Sequence, residues 1–322
     1  MEFSFLTMGT ASALPTANRY PSAHILTVRE RLFLIDCGEG AQMQMRKCGV
    51  SFAKIDDIFI SHLHGDHLFG LFGLLSTMAM SGRTGDLRIY APGGFEKILS
   101  FFMEQFGEGI KYNIIFNPIK CKEPVQIYDS RQLEVFAFPL VHRGETYGFL
   151  FKEKAPQLNV HKHLIEPYKL SLYDIARLKE GNDIIRKATF TDDDGIEVEY
   201  EETLKNSDFT YLPYKPRSFA YCTDTLPFKR LAGWIKGVDM VYHDSTYTKE
   251  YEELAKTTFH STSSAAACCA KEAGVGKLVL GHYSSRYKSL DKMLEEAQEI
   301  FPNSVLAKEG MKFEIPLEKY KE

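Results

Sequence analysis

The sequence predicts an α/β sandwich that carries an inserted arm. Short runs rich in β-branched and aromatic residues alternate with helical stretches along most of the 322 residues. No fixed-period repeat or low-complexity tract interrupts this alternation. The segment 151–206 departs from it, because charged residues become more frequent there. We therefore expect residues 1–150 and 207–322 to form one core domain, with the arm inserted between its two parts.

Four stretches show the local signals behind this fold class. His24–Asp36 indicates two strands around a charged turn. Phe95–Phe106 and Ser289–Ile300 have apolar residues at helical spacing, which predicts two helices. Ser261–Gly274 is typical of a helix with a Ser or Thr N-cap and a Gly C-cap. This rhythm favours a layered packing of helices on sheets.

The composition excludes several classes of protein. With 44% hydrophobic and 25% charged residues, the chain matches globular domains rather than disordered ones. A net charge of −4 excludes a generally basic surface for nucleic acids, so any RNA contact must depend on a local patch. The N-terminus lacks a signal-peptide pattern, no apolar stretch is long enough to cross a bilayer, and the six cysteines form no CxxC pair. We expect a reduced cytoplasmic protein without a membrane partner.

The arm divides into two parts of opposite charge. Residues 152–187 contain eight Lys or Arg against five Asp or Glu. The stretch TFTDDDGIEVEYEE, at 189–202, contains seven acids and no base. The Asp194-Gly195 pair lies there between residues of β type and predicts a hairpin turn. An ordinary solvated surface excursion would show the same charge pattern and stays open as an alternative to a functional arm.

Five apolar runs of β type each lead into a histidine or an aspartate. Buried strands read as continuous apolar runs, and the functional sites of α/β folds gather at the carboxyl ends of such strands. The polar residues that follow or end the five runs are His62, His142, Asp224, Asp244 and His282. We therefore expect these side chains to meet at one edge of the sheets.

The stretch S-H-L-H-G-D-H places further polar side chains at the same edge. His62 and His64 are two residues apart in an extended segment, so both side chains point the same way. Gly65 permits a tight turn, after which Asp66 and His67 point back from the start of the next helix. Three of the ten histidines of the chain fall within six positions, which chance composition does not explain.

Seven candidate ligands are too many for one tetrahedral zinc ion, and they suit two ions. The first ion would take His62, His64 and His142, the second would take Asp66, His67 and His282, and Asp224 would bridge them. Imidazole and carboxylate ligands favour two Zn²⁺ per chain, while Mn²⁺ and Fe²⁺ stay open. Two ions about 3.5–4 Å apart can share a hydroxide and stabilise both the attacking and the leaving oxygen of a displacement. The pattern therefore predicts metal-assisted hydrolysis.

The motif S-H-L-H-G-D-H is similar to the HxHxDH signature of the metallo-β-lactamase superfamily, whose members act on β-lactams, thioesters and nucleic acids. FLIDCGEGAQMQM (Phe33–Met45) resembles the glycine-rich segment of the ribonuclease Z family of tRNA 3′-processing endonucleases. HST (His260–Thr262) and GHYSSRY (Gly281–Tyr287) match later motifs of that family in order. The resemblance covers most of the chain outside the arm. It implies a four-layer αββα sandwich of the metallo-β-lactamase type and a zinc-dependent endoribonuclease.

The resemblance also implies roles for individual residues. The zinc ligands of the family fall on the seven residues chosen above, and Asp66 is in addition the expected general base. His260 matches the histidine that protonates the leaving 3′-oxygen. Its carboxylate partner in the family is the Glu of a HEAT-like motif, which is replaced here by the shorter Asp244 in His243–Thr246. Arg286 is a candidate phosphate contact, with a surface salt bridge as its alternative.

In the family, the inserted arm grips precursor tRNA, and the enzyme is a homodimer in which the arm of one subunit serves the other. This arm lacks the Gly-Pro-rich tip that is frequent in the family. It offers instead basic side chains suited to phosphate contacts, which position RNA without reading its sequence. They are Lys162, Lys169, Arg177, Lys179, Arg186 and Lys187. His161 and His163 have no third ligand nearby in the sequence and are expected to be solvated.

The leading hypothesis is an endonuclease that removes the 3′ trailer of precursor tRNA and leaves a 3′-hydroxyl on the tRNA. The alternative is a binuclear phosphodiesterase acting on small substrates such as cyclic nucleotides, favoured by the acidic net charge and the altered arm. A zinc-stabilised RNA-binding module without catalysis is a third hypothesis, and the complete ligand set speaks against it. The missing signal peptide disfavours a periplasmic lactamase. Metal content together with phosphodiesterase activity separates these hypotheses.

Overall fold

A computed structural model of the protein describes residues 1–191 and 195–320. The chain divides into two units. The first unit comprises Met1–Lys152 and Arg217–Pro316, and the second comprises Glu153–Pro216 and the residues from Leu317 onward.

Seven strands form the first sheet of the first unit: β1 (Phe3–Gly9), β2 (Ala23–Val28), β3 (Arg31–Cys37), β4 (Ile55–Phe59), β5 (Leu87–Pro92), β6 (Ile114–Ile119) and β18 (Lys312–Glu314). Neighbouring strands follow the order β18-β1-β2-β3-β4-β5-β6. Strands β3 to β6 are parallel, whereas β1 pairs antiparallel with both β18 and β2, and β2 pairs antiparallel with β3. β2 and β3 are the two strands predicted within His24–Asp36, so that prediction is confirmed.

Seven strands also form the second sheet: β7 (Val125–Asp129), β8 (Leu133–Pro139), β9 (Tyr147–Glu153), β14 (Ser218–Cys222), β15 (Met240–Asp244), β16 (Leu278–Gly281) and β17 (Ser304–Leu306). Their order is β17-β16-β15-β14-β9-β8-β7. Strands β14 to β17 are parallel, and β9 pairs antiparallel with β14. The carboxyl ends of β14, β15 and β16 therefore lie at one edge of this sheet.

Helices cover the outer face of each sheet. They are α1 (Ala41–Lys47), α2 (Gly65–Met80) and α3 (Phe95–Phe106) on the first sheet, and α7 (Lys229–Trp234), α9 (Ser263–Ala273) and α10 (Asp291–Ile300) on the second. α8 (Glu252–Thr258) lies between β15 and α9 along the chain. Aromatic side chains fill the space between the sheets, among them Phe5, Phe33, Phe59, Phe149 and Phe219. The layers are helix, sheet, sheet and helix, so the predicted αββα sandwich is confirmed.

Three helices occur where the sequence predicts them. α3 has the predicted bounds, and α10 begins at Asp291, slightly later than the predicted Ser289. α9 begins at Ser263 rather than Ser261, because the Thr262 side chain accepts a hydrogen bond from a backbone N–H of the first turn and is the N-cap. Among the described residues, none of the helices combines the length and the apolar character that a bilayer crossing requires.

The segment after β3 lies against the start of α2 without space for a side chain. A Cβ atom on Gly38 would lie 2.3 Å from the carbonyl oxygen of Asp66, and a Cβ atom on Gly70 would lie 2.0 Å from that of Gly38. Real Cβ atoms do not approach other atoms so closely, so any larger residue would push the two segments apart. Both glycines therefore permit the close approach that holds Asp66 beside the end of β3.

His24 lies between the two sheets with no exposed surface. Its ring packs against Phe5, Tyr221 and Tyr242, at centroid distances of 5.1, 5.4 and 4.7 Å. Neither ring nitrogen has a hydrogen-bond partner in the part of the chain that the structure describes. Burial lowers the pKa of His24 well below its usual value, so the imidazole is neutral at physiological pH. His24 is a core residue on a strand, outside the ligand set.

The second unit has an apolar cluster of its own. Its elements are β10 (Asn159–Val160), α4 (Lys162–Ile165), α5 (Leu172–Lys179), β11 (Ile184–Thr191), β12 (Glu197–Leu204), α6 (Asn206–Phe209) and β13 (Thr210–Tyr211). β11 and β12 pair antiparallel along their whole length, as the predicted hairpin requires. Asp194 of the predicted turn lies outside the described residues.

The second unit extends beyond the predicted end of the arm at residue 206. The charge pattern stops there, but Phe209 completes the apolar cluster that includes Val160 and Leu204. In addition, β13 pairs with β10. Packing rather than composition therefore sets the boundary of this unit at Pro216.

Candidate metal centre

Strand ends and one helix start bring the predicted side chains together. β4 ends shortly before His62, and α2 begins directly after His64. Asp66 and His67 therefore lie in the first turn of α2. The other candidates each follow or end a strand of the second sheet: His142 after β8, Asp224 after β14, Asp244 at the end of β15 and His282 after β16. All of them belong to the first unit.

Four of the seven predicted ligands form one cluster: His62, His64, His142 and Asp224. His62 Nε2 lies 2.9 Å from His64 Nδ1 and 3.5 Å from Asp224 Oδ2. His142 Nε2 lies 3.3 Å from His64 Nδ1 and 3.7 Å from Asp224 Oδ2. The ligands of a tetrahedral zinc ion with bonds of about 2.0–2.1 Å lie about 3.3–3.4 Å apart. The spacing of these donor atoms therefore fits such an ion.

The remaining predicted ligands form a second cluster that shares Asp224. His67 Nε2 lies 3.3 Å from His282 Nε2 and 3.5 Å from Asp66 Oδ2. His282 Nε2 lies 3.6 Å from Asp66 Oδ2 and 3.1 Å from Asp224 Oδ1. His67 Nε2 lies 3.3 Å from the same Asp224 oxygen. Asp224 thus presents Oδ2 to the first cluster and Oδ1 to the second, as a bridging carboxylate would.

Hydrogen bonds determine which nitrogen faces the clusters in four of the five candidate ligand histidines. The Nδ1 atom of His142 donates to the carbonyl oxygen of Phe259 at 2.9 Å, because a carbonyl oxygen can only accept. The Nδ1 atom of His67 donates to Asp36 Oδ2 at 2.7 Å. Both rings therefore use Nδ1 for this hydrogen bond and point Nε2 toward the clusters, which is the orientation of metal-bound histidines.

Hydroxyl groups hold two further histidines in the same way. His62 Nδ1 lies 3.0 Å from Ser61 Oγ, and His282 Nδ1 lies 3.1 Å from Thr246 Oγ1. Each hydroxyl group donates its own proton to a carboxylate, at 2.9 and 2.7 Å respectively. The hydroxyl oxygens therefore accept from Nδ1, and Nε2 again is the free ligand atom.

Asp36 is a residue of the site that the sequence did not lead us to single out. Its carboxylate accepts hydrogen bonds from the Ser61 N–H at 2.7 Å, from the Tyr221 hydroxyl at 2.8 Å and from His67. It has no exposed surface, and its φ of 54° lies in the left-handed region. A signal was present, because Asp36 ends the apolar run Leu32–Ile35 just as the other candidates end theirs.

The backbone is strained where two of the candidate ligands leave their strands. Asp224 and His282 have φ values of 38° and 61°, a region that residues with a side chain rarely adopt. Such conformations cost on the order of 1–3 kcal/mol each and cluster at functional sites. The strain marks these two strand ends as positions where side-chain direction matters.

The charge distribution of the two clusters favours a cation. Burial lowers the pKa of His67, but the carboxylates of Asp224, Asp66 and Asp36 outweigh burial and raise it well above its usual value. Burial raises the pKa of Asp224, but the imidazoles of His282 and His67 outweigh burial and lower it. Three carboxylates therefore surround one buried imidazole. The donor types, their spacing and their charge all fit divalent metal ions.

His260 and Asp244 form a hydrogen-bonded pair, so the shorter aspartate does reach the imidazole. His260 Nδ1 donates to Asp244 Oδ2 at 3.0 Å. The same oxygen accepts from the N–H groups of Thr225 and Ser261, at 3.1 and 3.2 Å. Burial lowers the pKa of His260, but the Asp244 carboxylate outweighs burial and raises it to about 9. His260 is therefore protonated at neutral pH and can donate a proton from Nε2.

His260 also lies close to the second cluster. Donor atoms of His260, Asp224 and His282 lie within 4.8 Å of one another. The ring of His260 is 5.3 Å from that of His282 and 5.1 Å from that of His142, measured between centroids. At this position His260 could act as a proton donor or as an additional metal ligand. The metal content of a His260 variant distinguishes the two roles, because only the loss of a ligand would lower it.

Arg286, the candidate phosphate contact, is exposed and lies over two tyrosine rings. Its guanidinium carbon is 5.2 Å from the ring centroid of Tyr247 and 4.6 Å from that of Tyr251. Among the residues that the structure describes, no carboxylate forms a salt bridge with it. Stacking on aromatic faces holds the guanidinium plane in place, as phosphate recognition requires.

The candidate contacts of the arm all belong to the second unit. Lys169 and Arg177 are exposed, and Lys179 is half-buried. His163 is exposed, as expected, but His161 is half-buried and packs against the Tyr211 ring at 4.9 Å. Within the described residues, the two histidines belong to no group of three or more metal donors.

Comparisons with known proteins decide the family. A family model described as "Anti-Pycsar protein Apyc1" matches residues 3–159. The ribonuclease Z of Bacteroides fragilis is 38% identical over 310 residues, which cover 96% of this chain and 98% of that protein. The ribonuclease Z of Phocaeicola vulgatus is 39% identical over 98% of both chains. This chain belongs to the ribonuclease Z family. The motifs had indicated the same family, so that prediction is confirmed.

Solved structures agree with the fold of this ribonuclease Z family member. Human tRNase Z, short form, has a TM-score of 0.69 and 23% identity, covering 97% of this chain and 99% of that one. A metallo-β-lactamase fold protein of Bacillus subtilis has a TM-score of 0.67 and 16% identity, covering 98% of this chain and 100% of that one. At these identities the likeness concerns the fold alone.

Proposed function

We propose that this member of the ribonuclease Z family is a metal-dependent endoribonuclease that removes the 3′ trailer of precursor tRNA. The observation that carries the proposal is the meeting of two groups of metal donors with His260, whose Nδ1 donates a hydrogen bond to Asp244. Relatives that are named ribonuclease Z over nearly the whole chain support the substrate class. The two clusters suit two ions per chain, and we propose zinc because imidazole and carboxylate donors at tetrahedral spacing suit it.

The reaction divides between the metal ions and the side chains. Two divalent ions, when bound, would activate water and stabilise negative charge on the phosphate. Asp66, whose Oδ2 also accepts a hydrogen bond from the Ala13 N–H at 2.9 Å, orients the attacking water and accepts its proton. As the bond from phosphorus to the 3′-oxygen breaks, His260 donates its Nε2 proton to that oxygen. The products are a tRNA with a 3′-hydroxyl and a trailer with a 5′-phosphate.

The sharpest test of this function compares two RNA substrates. Purified protein is incubated with an unprocessed tRNA and with a linear RNA of equal length, and His64→Ala is the inactive control. We expect cleavage of the precursor near the end of the tRNA body and little cleavage of the linear RNA. Similar rates on both would contradict a tRNA-specific enzyme.

We propose that the basic part of the second unit binds the tRNA. Lys169 and Arg177 are exposed there, and such side chains neutralise phosphates without reading sequence. The hairpin is less suited to this role, because Arg186 and Lys187 of β11 pair with Glu202 and Glu199 of β12. The exposed Glu197 and Glu201 of β12 would in addition repel phosphates.

Replacing Lys169, Arg177 and Lys179 together with Ala should raise KM for precursor tRNA by at least about tenfold, since each phosphate contact adds to affinity. Hydrolysis of the small diester bis(4-nitrophenyl) phosphate should not change. The matched control removes three exposed lysines of the first unit, Lys120, Lys122 and Lys236, and should leave both substrates unaffected. Equal losses on both substrates in the arm variant would contradict the proposed contact.

We also propose that two copies of the chain associate through an apolar groove between α2 and α3. The groove is lined by Phe72, Ile98, Phe102 and their neighbours. At its rim, Phe101 and Phe106 are 61% and 63% exposed. Exposed aromatic side chains of this size mark interaction surfaces in soluble proteins. A symmetric pairing would cover the same apolar patch on both copies.

Phe101→Glu should convert the dimer into a monomer, because a buried carboxylate in an apolar interface has no partner. Light scattering coupled to size-exclusion chromatography gives the mass directly. Val125→Glu, at a similarly exposed apolar residue on β7, is the control and should remain dimeric. A monomeric wild-type protein, or a dimeric Phe101→Glu variant, would contradict this interface.

A phosphodiesterase that acts on small substrates is the second candidate. The acidic hairpin of the second unit favours it, because an RNA-binding arm gains nothing from repelling phosphates. The two functions differ in one measurement. Rapid hydrolysis of a cyclic nucleotide without cleavage of precursor tRNA would favour the small-substrate enzyme.

A further inference from the structure

Phe259 has a backbone conformation that its side chain disfavours. It is the C-cap of α8, with φ 61° and ψ 47° in the left-handed region. Glycine is the usual residue at such a position, because a Cβ atom crowds the backbone there. A bulky residue in this region is an outlier. Phe259 therefore occupies a position where glycine would be unstrained.

The turn at Phe259 determines the position of two functional histidines. Its carbonyl oxygen accepts the Nδ1–H of His142 at 2.9 Å, which leaves Nε2 of that ring facing the first metal cluster. The next residue is His260, whose backbone N–H donates to the carbonyl of Ala255 at 2.9 Å. The rings of His142 and His260 lie 5.1 Å apart. One turn thus orients a candidate ligand and the candidate proton donor.

The residue after His142 covers the ring of Phe259. The guanidinium carbon of Arg143 lies 6.0 Å from the ring centroid. Arg143 Nη2 also donates to the carbonyl oxygen of Thr257 at 3.1 Å. Thr257 lies in the last turn of α8, where carbonyl groups have no partner within the helix. Arg143 therefore ties the loop that carries His142 to the end of α8.

We propose that Arg143 and Phe259 form a clasp that positions His142 and His260 relative to each other. Both are positioning residues, because they act through the two histidines rather than on the substrate. Loosening the clasp would move the Phe259 carbonyl away from His142 and weaken the hold of the first cluster on its ion. It would also misalign His260. The second consequence rests on the proposed function, whereas the first does not.

The variant Phe259→Gly distinguishes a positioning role of Phe259 from a purely structural one. Glycine adopts this backbone conformation without strain and keeps the carbonyl, so a purely structural role of Phe259 predicts a higher Tm with unchanged metal retention. The clasp predicts an equal or higher Tm together with about tenfold weaker metal retention in a chelator titration. The absorption spectrum of the cobalt-substituted protein should also change, because it reports the geometry around His142. A stable Phe259→Gly variant with wild-type metal retention and spectrum would overturn the clasp.

Arg143→Met keeps a long side chain over the ring but removes the charge and the hydrogen bond to Thr257. We expect about the same tenfold loss of metal retention, and no further loss when it is combined with Phe259→Gly, because the two residues act as one unit. A rise in KM with unchanged metal retention would instead assign Arg143 to a substrate phosphate and overturn the clasp. Failure of the wild-type protein to cut precursor tRNA would contradict the proposed function alone, since metal retention is measured without substrate.

Discussion

Asp224→Asn should abolish hydrolysis, with a loss of at least about 10³-fold in kcat. Asp224 Oδ2 lies near His62 and His142, and Oδ1 lies near His67 and His282. One substitution therefore removes a negative charge that both clusters share, and the amide nitrogen of Asn is no ligand. The metal content of the purified protein should fall from about two ions per chain to fewer than one. Elemental mass spectrometry with inductively coupled plasma measures it.

Asp57→Asn is the matched control for this experiment. Asp57 is a buried carboxylate of the same unit, but it accepts a hydrogen bond from Arg88 at 2.6 Å and belongs to neither cluster. We expect this variant to keep its metal content and kcat, even where losing the ion pair lowers the denaturation midpoint. If Asp224→Asn retained both ions and full activity, Asp224 would not be a bridging ligand and the proposal of two linked ions would be wrong.

The sequence alone was sufficient to predict the fold, and the seven side chains that it singled out as candidate ligands lie together in the structure. A polar residue at the end of an apolar run can be recognised from the local sequence. Because the carboxyl ends of parallel strands lie at the same edge of a sheet, such residues are also close together in space. The spacing of His62, His64 and His67 added a second local signal. Side chains in strands and in helices repeat with known periods, so the spacing indicates which of them point the same way. Motif order then indicated the family, which the 38% identical relatives confirm.

The groups that orient the ligands could not be predicted, because their partners are far apart in the sequence. The carbonyl that holds His142 belongs to Phe259, 117 residues further along the chain. Asp36 accepts a hydrogen bond from Tyr221 across 185 residues. Nothing in the local sequence of either partner identifies the other. Histidine tautomers and the strained backbone at Phe259 depend on such contacts and therefore became visible only in the folded chain.

The boundary of the second unit was missed for a related reason. Charge composition was the signal for the arm, and it fades near Asn206. The unit is held together by apolar packing that continues to Phe209 and by the pairing of β13 with β10. A composition change reports solvent exposure, whereas a boundary depends on where packing contacts end. The change in composition and the end of the packing contacts therefore need not fall at the same residue.

His260→Ala should lower kcat for precursor tRNA by about 10²–10⁴-fold, the usual contribution of a general acid. The 3′-oxygen of a ribose is a poor leaving group and needs the proton that His260 supplies. The 4-nitrophenolate ion leaves without a proton, so the loss on bis(4-nitrophenyl) phosphate should stay below about tenfold. Steady-state kcat values of the wild-type and variant proteins on both substrates give the comparison.

Asp244→Asn is the matched variant that keeps the imidazole. Asn has the same shape but no charge, so the pKa of His260 should fall from about 9 toward its ordinary value. A general acid is lost as the pH rises through its pKa. The alkaline limb of the kcat profile on precursor tRNA should therefore move to lower pH, with the largest loss of activity above neutral pH. An unchanged alkaline limb would mean that Asp244 does not control the proton on His260.

The metal content of His260→Ala decides between the two roles that its position allows. Nδ1 of His260 is bonded to Asp244, so Nε2 is the atom left for either role. One nitrogen cannot bind an ion and donate a proton in the same step. If His260 is the acid, the variant keeps about two ions per chain and loses activity mainly on RNA. If His260 is a ligand, the variant loses an ion and kcat falls equally on both substrates. The metal content and the ratio of the two kcat losses must therefore assign the same role to His260.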